Sequence, residues 1–341
     1  MVHLRIVVPS YQAEHALDLL QNTASVCNLI YLERAAHRPE GDVILCDVAR
    51  EDASVIVSDL RELNVDTEGS IAMEDVDSQI STAAQQAEKA AVGIPSDAVV
   101  WEEVESRTSE NIELSASFLA FMTLAMLIAS IGILTDELVL IIGAMVVGPE
   151  FGPIAGLSVA AVQRRMDLAR RSLIALAVGF PLAITGAFLL TLALDGLDLI
   201  PAQFSQEGHP FTAFISSPDQ YSFLVAYFAG TVGVLSLTSA KSSALVGVLI
   251  SVATIPAGAN IGVAAALGDW HEWVGAMEQL GLNLCALFLA SIGTLYLQRR
   301  LYIRRRRAHL HDEAREAAGL PLGRSRRDPR EAVRDEPKAR T

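Results

Sequence analysis

The stretch that decides the fold is Ile-Ile-Gly-Ala-Met-Val-Val-Gly-Pro-Glu-Phe-Gly-Pro-Ile-Ala-Gly, residues 141–156. It is apolar enough to lie in lipid, yet Gly148, Pro149, Gly152 and Pro153 interrupt it and Glu150 charges it. Proline withholds a backbone donor and frees a carbonyl. Within a bilayer such groups are tolerated only when buried in protein or lining a wet cavity. A carboxylate at that depth costs at least about 2.5 kcal/mol on insertion scales, so it faces protein or water and has a task.

On both sides of this stretch the chain remains apolar. Six segments approach the roughly 20 residues needed to cross a bilayer: 115–134, 138–162, 172–194, 221–239, 243–267 and 275–298. The charges between them follow one rule. Arg164, Arg165, Arg170 and Arg171 follow the second span, Lys241 follows the fourth, and Arg299, Arg300 and Arg304–Arg307 follow the sixth. The other three connections hold Asp136, Glu137, Asp195, Asp198, Glu207, Asp219, Asp269 and Glu272 but no Lys or Arg. This is the positive-inside pattern for six spans with both termini cytoplasmic. It predicts a multi-pass plasma (inner) membrane protein. The basic block after the last span reads as an anchor at an anionic membrane face.

The flanks differ from the centre. Residues 1–113 carry 7 Lys+Arg against 22 Asp+Glu, and residues 299–341 carry 14 against 7. The acidic domain repels phosphate, so nucleic acid is not an expected partner. Its opening, MVHLRIVVPSYQ, has no apolar core of signal-peptide length, which places it in the cytosol. Residues 1–77 alternate β-rich runs (3–8, 28–33, 43–48, 70–73) with helical patterns (11–23, 51–63), and Ser10 is the predicted cap of the first helix. The order βαββαβ predicts a small ferredoxin-like α+β domain. Residues 78–113 read as a helical stalk, in which Trp101 marks either the membrane interface or a core contact. The six-span domain occupies 114–298, and 299–341 reads as a basic tail that is disordered after Ala308.

The two halves of the membrane domain resemble each other. Gly152 and Gly156 match Gly258 and Gly262 at an offset of 106, and Leu182–Gly186 matches Leu289–Gly293 at 107. Phe118–Phe121 matches Phe223–Tyr227 more loosely. Three spans per unit make the second copy enter from the opposite side, an inverted repeat of the kind found in transporters. The second half has its own predicted break, Pro256-Ala-Gly-Ala-Asn260. Paired breaks are the sequence pointer to a transport site. The predicted solute or ion pathway is therefore Gly148, Pro149, Glu150, Gly152, Pro153, Pro256, Gly258 and Asn260. Gly156 and Gly262 complete GxxxG spacings that pack helices closely. The same glycines read equally as tight helix crossings, and Glu150 as a cap on the positive end of a half-helix. Asn283 reads as a helix–helix hydrogen bond.

Enzyme signatures are absent: there is no GxxxxGK[ST], GxGxxG after a strand, HExxH or GxSxG. Neither catalytic residues nor cofactors are predicted. Cys27, Cys46 and Cys285 form no metal-type pair, and His309 and His311 in the tail do not read as a metal site.

Residues 141–156 resemble the signature of the domain-of-unknown-function 389 family of prokaryotic integral membrane proteins, a GAM, then a proline, then GP-I. That resemblance implies a bacterial or archaeal plasma membrane and no established activity. The chain supports two functional readings. One is a solute or ion permease with its site at the breaks and a regulatory or assembling cytosolic domain. The other is a non-transporting sensor or scaffold that acts through that domain. In either case lipid is a partner, and a homo-oligomer is expected.

Overall fold

The computed structural model describes residues 1–76, 78–91, 93, 98–201, 219–239 and 245–323. The chain forms two compact units. One is residues 1–104, 238–240 and 298–341; the other is residues 105–237 and 241–297.

The first unit is built on a four-stranded sheet. Its strands are β1 (Val2–Val8), β2 (Val26–His37), β3 (Glu40–Val48) and β4 (Ser70–Asp75), in the order β2-β3-β1-β4 with every neighbouring pair antiparallel. Helices α1 (Ser10–Gln21) and α2 (Arg50–Glu62) connect them, with a one-turn α3 (Val65–Glu68) before β4. This is the strand order of a split βαββαβ sandwich, as the sequence predicts. Period-two alternation explains the core. Val2, Leu4, Ile6 and Val8 of β1 and Ile44, Cys46 and Val48 of β3 turn to one face and meet Ala16 and Leu19 of α1 and Ile56 and Leu60 of α2. The hairpin strands β2 and β3 extend further than the predicted 28–33 and 43–48, with register shifts between Cys27 and Ile30 and between Leu32 and Ala36. The cap of α1 is Pro9, not Ser10; the Ser10 hydroxyl donates instead to Asp42 at 2.9 Å.

The predicted stalk is not a free rod. Helix α4 (Thr82–Ala90) buries Ala84 and Ala87 against Cys27 on the second face of the sheet. Trp101 opens α5 (Trp101–Asn111); it is buried and meets the ring of Tyr302 edge-on at 6.2 Å. Of its two readings, the core contact is the one the structure shows.

The other unit is helical. Among the described residues, α6 (Ala116–Leu134), α9 (Met166–Gly196), α10 (Gln220–Thr238) and α12 (Trp270–His309) are long and apolar enough to cross a membrane. Helices α7 (Leu138–Val147) and α8 (Phe151–Gln163) are long and apolar enough only when taken together, and they bend by 51° at their junction, as a broken span or a re-entrant loop does. Helix α11 (Leu245–Leu267) is also apolar, and its described side chains begin at Thr254. The connections holding Glu207 and Lys241 lie outside the described residues.

Two expectations need correction. The break predicted at 256–260 is absent: α11 runs straight through Pro256. A membrane helix accommodates proline when neighbouring helices hold the freed backbone, and Ile255, Ala257, Gly258 and Ala259 are all buried among them. The tail also differs from a disordered segment up to residue 323. Helix α12 continues to His309, and α13 (Glu313–Ala317) comes next, capped by Asp312. Ala314, Ala318 and Leu320 join the core of the first unit. Residues 324–341 lie outside the described residues.

Candidate functional site

The break between α7 and α8 positions Glu150. Gly148 and Pro149 end α7, and Glu150 stands at the cap position of α8. Its side chain makes no capping bond to that helix. Instead Thr254 of α11 donates its hydroxyl to Glu150 Oε1 at 2.8 Å. The carboxylate is wholly buried. Its second oxygen lies over Gly148, where a Cβ would meet Glu150 Oε2 at 2.5 Å and Ile255 Cγ1 at 2.9 Å. The missing side chain at Gly148 is thus what leaves room for the carboxylate. The break of the first half and the Thr254-Ile255-Pro256 segment of the second half form one site.

The remaining predicted residues divide. Gly152, Pro153 and Gly156 are buried on α8. A Cβ on Gly156 would meet Ser172 Oγ at 2.5 Å, so the glycine lets α8 lie close against α9. Gly262 lies against the backbone of α9, where a Cβ would come within 2.7 Å of Ile184 O. Gly258, predicted for the pathway, has its open side filled by Met126 Cε, 2.5 Å from where a Cβ would stand. Asn260, also predicted for the pathway, donates its amide to Glu272 Oε2 at 3.1 Å. Asn283 is buried and accepts a 3.5 Å contact from the Gln279 amide.

Sequence reasoning missed Thr254 and Glu272. Thr254 lies two residues before Pro256, and its separation of 104 from Glu150 is close to the repeat offset. That near-coincidence was the available signal. Glu272 counted only as a loop acid, yet it begins α12 beside Asn260.

Chemically, the site offers a buried carboxylate and a hydroxyl, which suits a proton or a hard cation with oxygen ligands. Among the described residues, no cluster of three or more His, Cys, Asp or Glu side chains could hold a metal ion.

In the first unit, hydrogen bonds hold two carboxyls low. Burial alone pushes the Asp42 carboxyl up, but donors at Tyr31, the Arg34 amide and Ser10 outweigh it and hold the carboxyl below its ordinary range. Burial likewise acts against Asp47, and hydrogen bonds from Asn28, His3 and Gln79 hold it low.

Several apolar helices of membrane-crossing length, one broken around a buried carboxylate, define a multi-pass membrane protein. Residues 145–289 match the family profile described as a domain of unknown function, DUF389. The match takes in the break at Gly148-Pro149 and most of the later helices, and it bears out the resemblance carried by residues 141–156. An uncharacterised protein of Methanocaldococcus jannaschii is 26% identical over 194 residues, which cover 57% of this chain. The chain spans 58% of that relative's length. No solved structure matches.

Proposed function

We propose that the membrane unit is a permease for a small solute or ion, with Glu150 as the group that binds the ion or carries a proton. The observation behind this is the Thr254–Glu150 hydrogen bond, which joins the broken span of one half to the proline-bearing helix of the other. A charge held there works against a desolvation cost of about 2.5 kcal/mol or more, so a functional return is expected of it.

The reading includes six spans arranged as two inverted repeats, with both termini cytoplasmic. Reciprocal packing supports it. Helix α11, the middle span of the second half, lies against Met126 and Phe180 from the outer helices of the first half. Ile154 of α8, in the middle span of the first half, clusters with Ala226, Ala229, Ala286 and Leu287 from the outer helices of the second. Phe118 packs on Gly179, and at comparable offsets Phe223 packs with the cluster holding Ala286. In this reading the first unit is cytosolic, regulates or assembles the permease, and a homo-oligomer forms in the plasma membrane.

A second reading, a closed sensor or scaffold, draws on the filled glycines: neighbours occupy the open sides of Gly148, Gly258 and Gly262. A permease caught occluded has the same feature. Flux separates the two. Purified protein in liposomes is assayed with a panel of cations, anions and organic acids, using Glu150→Gln and Gly258→Leu as probes. Flux in the wild type that falls in both variants supports the permease. No flux for any solute, with both variants folded, leaves the scaffold.

A further inference from the structure

The contacts around α11 fix how the helices run. Along α11, Gly258 meets Phe180 and Gly262 meets Ile184 and Ala187, so α11 runs parallel to α9. The short turn at Arg164 and Arg165 sets α8 antiparallel to α9. The turn at Gly268 and Asp269, with the Asn260–Glu272 bond across it, sets α12 antiparallel to α11. Helices α8 and α12 are therefore parallel.

Between them Phe151 and Ile154 of α8 share an apolar cluster with Leu284 and Leu287 of α12. Glu150 immediately precedes the first pair and Asn283 the second. In parallel helices both polar residues therefore lie on the same side of that cluster along the helix axes. Asn283 and Gln279 are one turn apart, and Glu272 lies seven residues further up the same stripe. Asn283 and Gln279 are 2% and 6% exposed. Among the described residues the buried carbonyl oxygen of Gln279 has no hydrogen-bond partner. Glu272 is half-buried at the end of the stripe, held by Asn260.

We infer that this stripe is the access path for a small cation, running along α12 from Glu272 past Gln279 and Asn283 to Glu150. The inference rests on the permease reading and deepens it by naming the class of ion and its route. From Glu272 to Asn283 the path covers about 16 Å at 1.5 Å per residue. Carboxylate at both ends and amide oxygen between attract cations and repel anions. The unpartnered oxygen of Gln279 is a ligand position for a passing ion or its water.

The test is thiol accessibility in the full-length protein in membranes, with modified peptides located by mass so that the native cysteines are told apart. Gln279→Cys, Asn283→Cys and, as control, Gly281→Cys are treated with a cationic and then an anionic methanethiosulfonate. Gly281 is exposed on the outside of the helix, with open space around it. Cationic reagent is expected to modify positions 279 and 283 at least about tenfold faster than 281, and about tenfold faster than the anionic reagent. Glu272→Gln in the Asn283→Cys background is expected to slow it. Rates at 279 and 283 no faster than at 281, or no preference for the cation, overturn the inference. Flux in liposomes without this labelling rejects the route and leaves the permease. Labelling without flux rejects the permease and leaves a hydrated cation site.

Discussion

At the scale of single residues, the buried charges separate by role. Asp59 and Glu62 of α2 receive Arg315, which is 0% exposed, while Arg306 reaches Glu62 at 2.6 Å and His309 reaches Asp59 at 2.9 Å. These five groups balance one another inside the first unit. Arg315→Met removes the central cation and leaves two carboxylates under-compensated, a loss of about 3–5 kcal/mol. The expected outcome, by chemical unfolding in detergent, is loss of the first unit's transition before that of the membrane unit. Asp42 gives a pH signature. Because its folded pKa is depressed, its hydrogen bonds stabilise the fold fully above the unfolded value of about 3.9 and lose their contribution as pH falls through the folded value. Asp42→Asn is therefore expected to lower stability at pH 7, with the difference from wild type shrinking as pH falls below the unfolded value. Little of this was legible in sequence. Arg304–Arg307 reads as a basic block facing lipid, but helical geometry divides it: Arg305 donates to Glu51 O at 2.7 Å and Arg306 is buried, while Arg304 and Arg307 are exposed. Pattern alone does not reveal a partner some 250 residues away.

At the scale of elements, sequence succeeded where periodicity and chain chemistry agree. The βαββαβ order emerged because strands of alternating Val, Ile and Leu bury one face, and the break at Gly148-Pro149 emerged because two turn-forming residues interrupt one helix. Proline alone was a poorer guide. Pro256 stands inside α11 and Pro181 inside α9, where Thr185 donates to the Pro181 carbonyl at 2.7 Å. What distinguishes Pro149 is its preceding Gly148, with extended backbone at ψ 126°. The glycines likewise divide by surroundings. Gly262→Leu places a side chain against backbone atoms of α9 and is expected to separate the helices, at a cost of about 1–3 kcal/mol or more. Gly143→Ala meets nothing within 4 Å and is expected to be neutral or to raise stability, by up to about 1 kcal/mol on helix propensity. Thermal aggregation of the two detergent-solubilised variants against wild type checks the contrast.

At the scale of the whole molecule, the proposed six-span arrangement makes a claim about sides. If both termini are cytoplasmic, cysteines placed at Arg165 and Arg300 label from one face of the membrane, and those placed at Asp198 and Asp269 label from the other. All four on one face, or any other pairing, contradicts the topology and the inverted repeat with it. The apolar stretches and the charges between them are the grounds for that expectation. The meeting of the two halves at Glu150 and Thr254 did not appear there, because it depends on how α11 packs against the broken span.

That meeting is the centre of the account, and a double-variant cycle of transport in liposomes tests it most directly. The species that the solute panel finds carried by the wild type is measured in Glu150→Gln, Thr254→Val and the combined protein. The expected result is a fall of at least about tenfold for Glu150→Gln, a smaller fall for Thr254→Val, and a combined variant no slower than Glu150→Gln alone. Wild-type flux in correctly folded Glu150→Gln would contradict the claim that this carboxylate lies on the transport path.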